Sequence, residues 1–510
     1  MRGLLAFVAL LLIAGCSRAP TATVDGERLV GRYEGTVAAF LGVPFAEPPQ
    51  GELRWRAPQP LATKHERRDT GEFAAACMQT MRILDWYRYM AETFGASAGY
   101  YGDLEVSEDC LYLNVWTRSL NRQSRMPVMV WVHGGSNKSG WSYEDNYRGN
   151  ALAQQGVVVV TVAYRHGLFG FLSHPELESS EAAANFGLWD LVAALQWVRD
   201  NIETFGGDPG RVTLFGESAG AENILALMMA DSARDLFQRA ILQSTAGFGL
   251  SMPGVEDEMA RGEELAALAG AETLDELRSV DAARLLELYT ERFDDHYHSP
   301  AVDDQLIPES TWAAIGRGEF GDHELMIGTN RDEWLDSIDS DISMDEVAQT
   351  APQYPQVGGA EALALVADET DPRRAMDRLI TAAEMACPSQ SLAARRTASG
   401  GKAWVYWFTR QRQDAGGNKV GAYHGAEYPY VFGVHDDYMT TTNHDRRLSA
   451  LMQRYWVNFA ATGNPNSAEL PAWPRFERPE PVVQELGDTV GPVPAIEPEM
   501  CAAFEAWVQQ

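Results

Sequence analysis

A serine between two glycines, placed where a β run meets a helix, constrains this chain more than any other feature. Val212-Thr-Leu-Phe-Gly216-Glu217-Ser218-Ala219-Gly220 is apolar up to its first glycine, and a helix-like stretch follows from Ala221 to Met229. G-x-S-x-G in that setting builds a sharp strand-to-helix turn whose serine hydroxyl projects above a sheet. The glycines two before and two after let neighbouring backbone pass without Cβ clashes. The pattern also matches Gly95-Ala-Ser97-Ala-Gly99. There, Met90-Ala-Glu-Thr-Phe is no β run and no apolar-periodic helix follows, so context selects Ser218 and rejects Ser97.

The surrounding pattern fits such a turn. Short β runs at 111–116, 128–132, 157–164, 212–215, 240–243, 325–328 and 403–408 alternate with longer helical stretches. Several runs are continuously apolar, as strands buried on both faces are. Leu188, Leu191, Val192, Leu195, Val198 and Ile202 keep the 3.6-residue period over 187–205. The expected class is α/β with a large, mostly parallel sheet flanked by helices. The stretches 256–290 and 345–400 read as insertions that cap the site. Residues 27–510 read as a single catalytic domain.

Residues 1–15 differ from the rest. Arg2 precedes an apolar run from Leu4 to Ile13, and Ala14-Gly15-Cys16 ends it. This is the layout of a signal peptide, too short for a transmembrane helix. Ile-Ala-Gly-Cys resembles a bacterial lipobox, which makes Cys16 the expected lipidation site and residues 16–26 a flexible tether. The expected location is outside the cytoplasm, with membrane attachment through that lipid alone. Export implies an oxidising compartment. Cys77, Cys110, Cys387 and Cys501 then allow three pairings, among which spacing does not choose. The formal charge of −31 disfavours nucleic-acid partners, because phosphates are repelled. It reads as a solubilising acidic surface, or more sharply as a field that steers cationic substrates.

A serine hydroxyl needs a base within hydrogen-bond reach, and that base needs an orienting acid. After Ser218 stand His296, His298, His323, His424, His435 and His444. His424 is favoured by its glycine-flanked loop beyond the run 403–408, and Asp332 and Glu333 by their place directly after the run 325–328. Physical reasoning alone leaves those choices open. His296-x-His298 has the spacing of a metal pair, but no complete ligand set accompanies it, so no metal and no cofactor is expected.

The chain resembles the type-B carboxylesterases, the α/β-hydrolase group that includes cholinesterases and bacterial para-nitrobenzyl esterases. The matching pieces come in the family's order: Phe40-Leu-Gly-Val-Pro-Phe-Ala-Glu-Pro-Pro, Ser107-Glu-Asp-Cys-Leu-Tyr-Leu-Asn114, Val130-Trp-Val-His-Gly-Gly135, Phe205-Gly-Gly-Asp-Pro209, the serine motif, Ala240-Ile-Leu-Gln-Ser244, Asp332-Glu333, His424-Gly-Ala-Glu427 and Tyr455-Trp-Val-Asn-Phe459. The resemblance implies a serine esterase acting on small-molecule esters through an acyl-enzyme. Ser218 would be the nucleophile, His424 the base and Glu333 the acid. Backbone N–H groups of Gly135, Ser136 and Ala219 would form the oxyanion hole. Ser244 would support the acid–histidine pair, and Glu217 would hold a water or a cationic group beside the serine. The same resemblance implies bridges Cys77–Cys110 and Cys387–Cys501, and ion pairs Arg54–Glu108 and Arg165–Asp190. An amidase or acyltransferase on the same triad is the alternative. A non-catalytic binding module is a weaker one, because all three triad members are retained.

Some positions depart from the family. Ser136 stands where a third glycine is usual, followed by Asn137 in place of an aromatic residue, and Trp334 replaces the usual glycine after Glu333. The segment Asp294-Asp295-His296-Tyr297-His298 is polar where cholinesterases carry bulky aromatics, so a more polar acyl pocket is expected. The aromatic residues between Cys77 and Cys110, among them Trp86 and Tyr87, either line the pocket or pack beside it.

Overall fold

The computed structural model describes residues 19–509 except 63, 64, 179, 246, 248, 249 and 320. The expected signal segment 1–15 and the expected lipidation site Cys16 lie outside the described residues. Eleven strands form one sheet: β1 (Arg32–Glu34), β2 (Val37–Pro44), β3 (Tyr112–Thr117), β4 (Met126–Val132), β5 (Val158–Val162), β6 (Gly207–Glu217), β7 (Arg239–Gln243), β8 (Glu324–Asn330), β9 (Ala403–Phe408), β10 (Val482–Leu486) and β11 (Val490–Pro494). Their spatial order is β11-β10-β9-β8-β7-β6-β4-β5-β3-β2-β1. From β10 to β5 every pairing is parallel. The outer pairs β11/β10, β5/β3, β3/β2 and β2/β1 are antiparallel. The sheet is therefore mixed: mostly parallel at its centre, with hairpin-type edges.

The two-residue period of the strands explains its two cores. Val128, Val130 and Val132 of β4 face one core together with Leu214, Leu242, Ile327 and Val405. Met129 and Trp131 face the other with Phe215, Ile241, Met326 and Trp404. Helix α1 (Arg82–Thr93) lies between Cys77 and Cys110, and the first, aliphatic face of the sheet receives helices α2 (Phe186–Asn201) and α3 (Ala219–Met229). The second, aromatic face receives the later helix Asn443–Thr462 through Met452, Tyr455, Trp456 and Phe459. Burial on both faces is what makes the central strands read as unbroken apolar runs. Among the described residues no helix is long and apolar enough to cross a membrane.

The tether expected over 16–26 needs correction from Thr21 onward. Thr21–Val24 is a strand, paired antiparallel with Glu27–Val30. Asp25 and Gly26 both take positive φ, 50° and 88°, the two-residue turn that Asp-Gly favours between twisted strands. Ala22 and Val24 are buried, so the hairpin is packed onto the body. The insertions fall where expected: α4 (Val255–Ala269) and α5 (Ala282–Phe293) fill the first, and helices Pro372–Thr381 and Cys387–Ala398 lie in the second. Cys77 is bonded to Cys110 and Cys387 to Cys501. Arg165 and Asp190 form a buried two-pronged pair at 2.7 and 2.8 Å, and Arg54 meets Glu108 twice at 2.6 Å.

Candidate active site

The turn after β6 is built by close approach. A Cβ on Gly216 would sit 2.6 Å from the Val132 carbonyl oxygen, and one on Gly220 only 2.2 Å from the same atom. No side chain fits at either position, so the spacing of the motif is a packing requirement. Between them Ser218 adopts φ 54°, ψ −131°, a region sparsely populated by non-glycine residues. Its N–H donates to the Gln243 carbonyl at 2.9 Å, and α3 starts directly after it. The strain is thus held by β7 on one side and a helix on the other.

Ends of neighbouring parallel strands supply the rest. Glu333, fully buried, follows β8. Its Oε1 accepts three hydrogen bonds: from Ser244 Oγ at 2.6 Å, Thr329 Oγ1 at 2.6 Å and the Asn330 N–H at 2.7 Å. Its Oε2 is left for His424 Nδ1 at 2.7 Å. The carboxylate that physical reasoning could not separate from it, Asp332, is engaged elsewhere by Arg331 and Arg374, each at 2.8 Å. His323 and His444 bond to main-chain carbonyls and His435 to Arg412; none of these three lies in the pocket. The structure therefore brings Ser218, His424 and Glu333 to one place, with Ser244 behind Glu333.

His424 Nε2 lies 3.0 Å from Glu217 Oε1, at an angle that makes an ion-pair contact and not a hydrogen bond. Burial works against a charged imidazole here. Glu217 and then Glu333 outweigh it and push the His424 pKa up to about 10. Glu217 is itself raised to about 8, first by burial, against the pull of His424. Trp334 stacks on the His424 ring, centroids 5.2 Å apart and planes at 18°. The residue that departs from the family pattern therefore clamps the imidazole, and its backbone N–H donates to Asp377 Oδ1 at 2.7 Å.

The loop after β4 passes beside the serine. A Cβ on Gly134 would stand 3.0 Å from that of Ser218, and one on Gly135 would fall 1.9 Å from the Ser139 carbonyl oxygen. Gly135, Ser136 and Asn137 have φ of 104°, 59° and 53°. Ser136 thus occupies the left-handed region that a glycine would take more easily. Asn137 stabilises the loop with its side chain: its Nδ2 donates to the His298 carbonyl at 2.7 Å, and its Oδ1 accepts from Asn223 at 2.8 Å. The N–H groups of Gly135, Ser136 and Ala219 have no other acceptor among the described residues.

These groups open into a cavity of roughly 510 Å³, lined by Ser218, His424, Trp334, Tyr87, Tyr428 and Ser136 among others. Asp294, Asp295, Tyr297 and Lys138 also line it, so the expected polar wall is present. Trp86 and Tyr87 line the cavity, whereas Tyr89 and Tyr100 are exposed. Sequence reasoning missed the Thr329 hydroxyl, the Trp334 stack and a buried pair in which Tyr87 Oη donates to Glu144 at 2.5 Å. Burial raises Glu144 to about 7. Of these only Thr329 had a readable signal, its place at the carboxyl end of a strand.

The carboxylesterase family model matches residues 16–493. The fumonisin B1 esterase of Sphingopyxis macrogoltabida is 34% identical over 481 residues, covering 90% of this chain and 85% of the relative. The para-nitrobenzyl esterase of Bacillus subtilis is 34% identical over 470 residues, covering 89% and 92%. A solved para-nitrobenzyl esterase structure superposes with a TM-score of 0.81 at 29% identity, covering 95% of this chain and 99% of that one.

Proposed function

The chain belongs to the carboxylesterase family, hydrolases of carboxylic esters, and on that premise we propose that Ser218, His424 and Glu333 carry out the hydrolysis through an acyl-enzyme. The observation that carries this reading is the bond between His424 Nδ1 and Glu333 Oε2, 2.7 Å long, beside a serine raised on a strained turn. Ser218 Oγ attacks the ester carbonyl and passes its proton to His424 Nε2. The Gly135, Ser136 and Ala219 N–H groups hold the oxyanion. Preorganised donors of this kind are each worth about 10²–10³ in rate. His424 then protonates the leaving alcohol, and a water repeats the sequence to release the acid.

Glu333 keeps the imidazole in the tautomer that leaves Nε2 to receive a proton, and Trp334 holds the ring plane. Glu217 stabilises the imidazolium that forms during attack. With Asp294, Asp295 and Lys138 on the cavity wall, we read the preferred esters as small molecules with polar groups near the acyl side. We also propose export with lipid attachment at Cys16, on the strength of residues 2–16; the mass of the mature N-terminal peptide tests it. The catalytic test is hydrolysis of para-nitrophenyl acetate, butyrate and octanoate against Ser218→Ala, with the matching anilides as amide controls. Ester turnover lost in the variant supports the reading. Undiminished turnover in Ser218→Ala contradicts it, and faster anilide cleavage would favour an amidase.

A further inference from the structure

Beside the oxyanion loop lies a group of donors that ester hydrolysis does not use. Glu258 on α4, and His296 and His298 after α5, each place one ligating atom within 4.8 Å of the others. The carboxylate that the histidine pair lacks in the sequence arrives from 38 residues away. We propose that Glu258, His296 and His298 bind one divalent transition-metal ion of the zinc class.

The donor chemistry fits first. Two imidazoles and one carboxylate are three protein ligands of the type that hold zinc with a fourth position open. One of the three spacings fits as well. Ligands about 2.1 Å from a tetrahedral ion stand roughly 3.4 Å from each other. His296 Nε2 and Glu258 Oε1 are 3.3 Å apart. The third observation is His298 itself. It is fully buried, its Nε2 meets Tyr289 Oη at 2.9 Å, and its Nδ1 has no hydrogen-bond partner. A buried polar atom without a partner is costly, and a metal-bound imidazole commonly has a hydrogen bond on its other nitrogen. The His296 side chain is 20% exposed, which leaves a route for the ion and for a water in the fourth position.

Arg261 opposes the ion. It meets the same carboxylate at 3.0 and 3.3 Å, one turn along α4. Its side chain is 25% exposed, so it can turn out to solvent when a cation arrives. That competition gives the site a distinctive sign: removing a positive side chain should strengthen cation binding.

The ion would also reach the active site. The His298 carbonyl accepts from Asn137 Nδ2 in the oxyanion loop, and the Asp294 carbonyl accepts from Lys138 Nζ. Asp294, Asp295 and Tyr297 line the cavity. Tying His296 and His298 to α4 fixes that wall.

The test is a titration of the chelator-treated full chain with Co²⁺, followed by visible absorbance, and with Zn²⁺, followed by calorimetry. One ion per chain is expected. Binding should weaken roughly 100-fold or more in His296→Ala and tighten by roughly tenfold in Arg261→Gln. Metal-free ester turnover of each variant reports that it is folded. No saturable binding overturns the proposal, as does unchanged affinity in a folded His296→Ala. If His296→Ala does not fold, Arg261→Gln decides alone: tighter binding supports the site, and unchanged or weaker binding overturns it.

Discussion

Replacing Glu217 by glutamine should move the acidic limb of the pH–rate profile to lower pH. In the protein, Glu217 Oε1 stands 3.0 Å from His424 Nε2. Burial disfavours the imidazolium, yet this carboxylate and Glu333 hold the His424 pKa up to about 10. One opposite charge at such range is worth about 1–3 pKa units. The His424 side chain keeps 20% exposure, so the lower end applies: about one unit, or about 1.4 kcal/mol. The sign follows from the role proposed for His424 as the base. Only neutral imidazole can take the serine proton, so kcat/KM rises with pH as His424 deprotonates. Without the anion, deprotonation occurs at lower pH, and the variant should outrun the wild type on the acidic side of the limb. The assay is kcat/KM for a neutral ester, followed titrimetrically across the limb in both proteins. A limb that stays in place, or moves upward, would refute the assignment of Glu217 as the charge that holds up His424.

Other consequences follow from the same contacts. Gly135→Ala should lower kcat by about 10²–10³ with KM little changed, because its Cβ would fall 1.9 Å from the Ser139 carbonyl oxygen and displace a proposed oxyanion donor. Ser136→Gly, which only relieves a positive φ of 59°, should keep wild-type kcat; steady-state kinetics compares the two. Ser244→Ala removes one of three donors to Glu333 Oε1 and should cost about 1.5–3 kcal/mol in kcat/KM, roughly tenfold or more. Burial raises the Asp445 carboxyl, but hydrogen bonds from Arg410, Thr442 and Tyr430 overcome it and hold the pKa well below the usual range. Its contribution is thus complete above about pH 4 and lost as pH falls through the folded-state pKa. Asp445→Asn should cost about 3–5 kcal/mol near neutrality by denaturant melt and flatten the acid-side decline.

The serine turn was legible because its determinants are local. Gly216 and Gly220 are forced by one strand end, and a five-residue window carries that information. The histidine and the acid were not legible on physical grounds. Glu333 and His424 are 91 residues apart, and only the parallel order of the strands brings their loops together. The resemblance to a family supplied that choice, and the hydrogen bonds now give it a reason: Asp332 is occupied by two arginines and Glu333 is not. Thr21–Val24 was misread because Pro20 and its threonines resemble a linker, although Asp25-Gly26 already signalled a hairpin. Trp334 read only as a departure from the family's glycine, since a single substitution does not reveal the stacking partner it acquires on folding. Glu258 escaped for the same reason as His424, being distant in sequence from the groups it meets.

Covalent capture tests the proposed nucleophile, Ser218, most directly. The protein would be treated with a serine-directed fluorophosphonate on the alkaline side of the pH–rate limb, where His424 is neutral, and the adduct mapped by peptide mass. One adduct per chain on Ser218 is expected, slowed strongly in Glu333→Gln and absent in Ser218→Ala. Labelling elsewhere, or none in a folded protein, would contradict the mechanism.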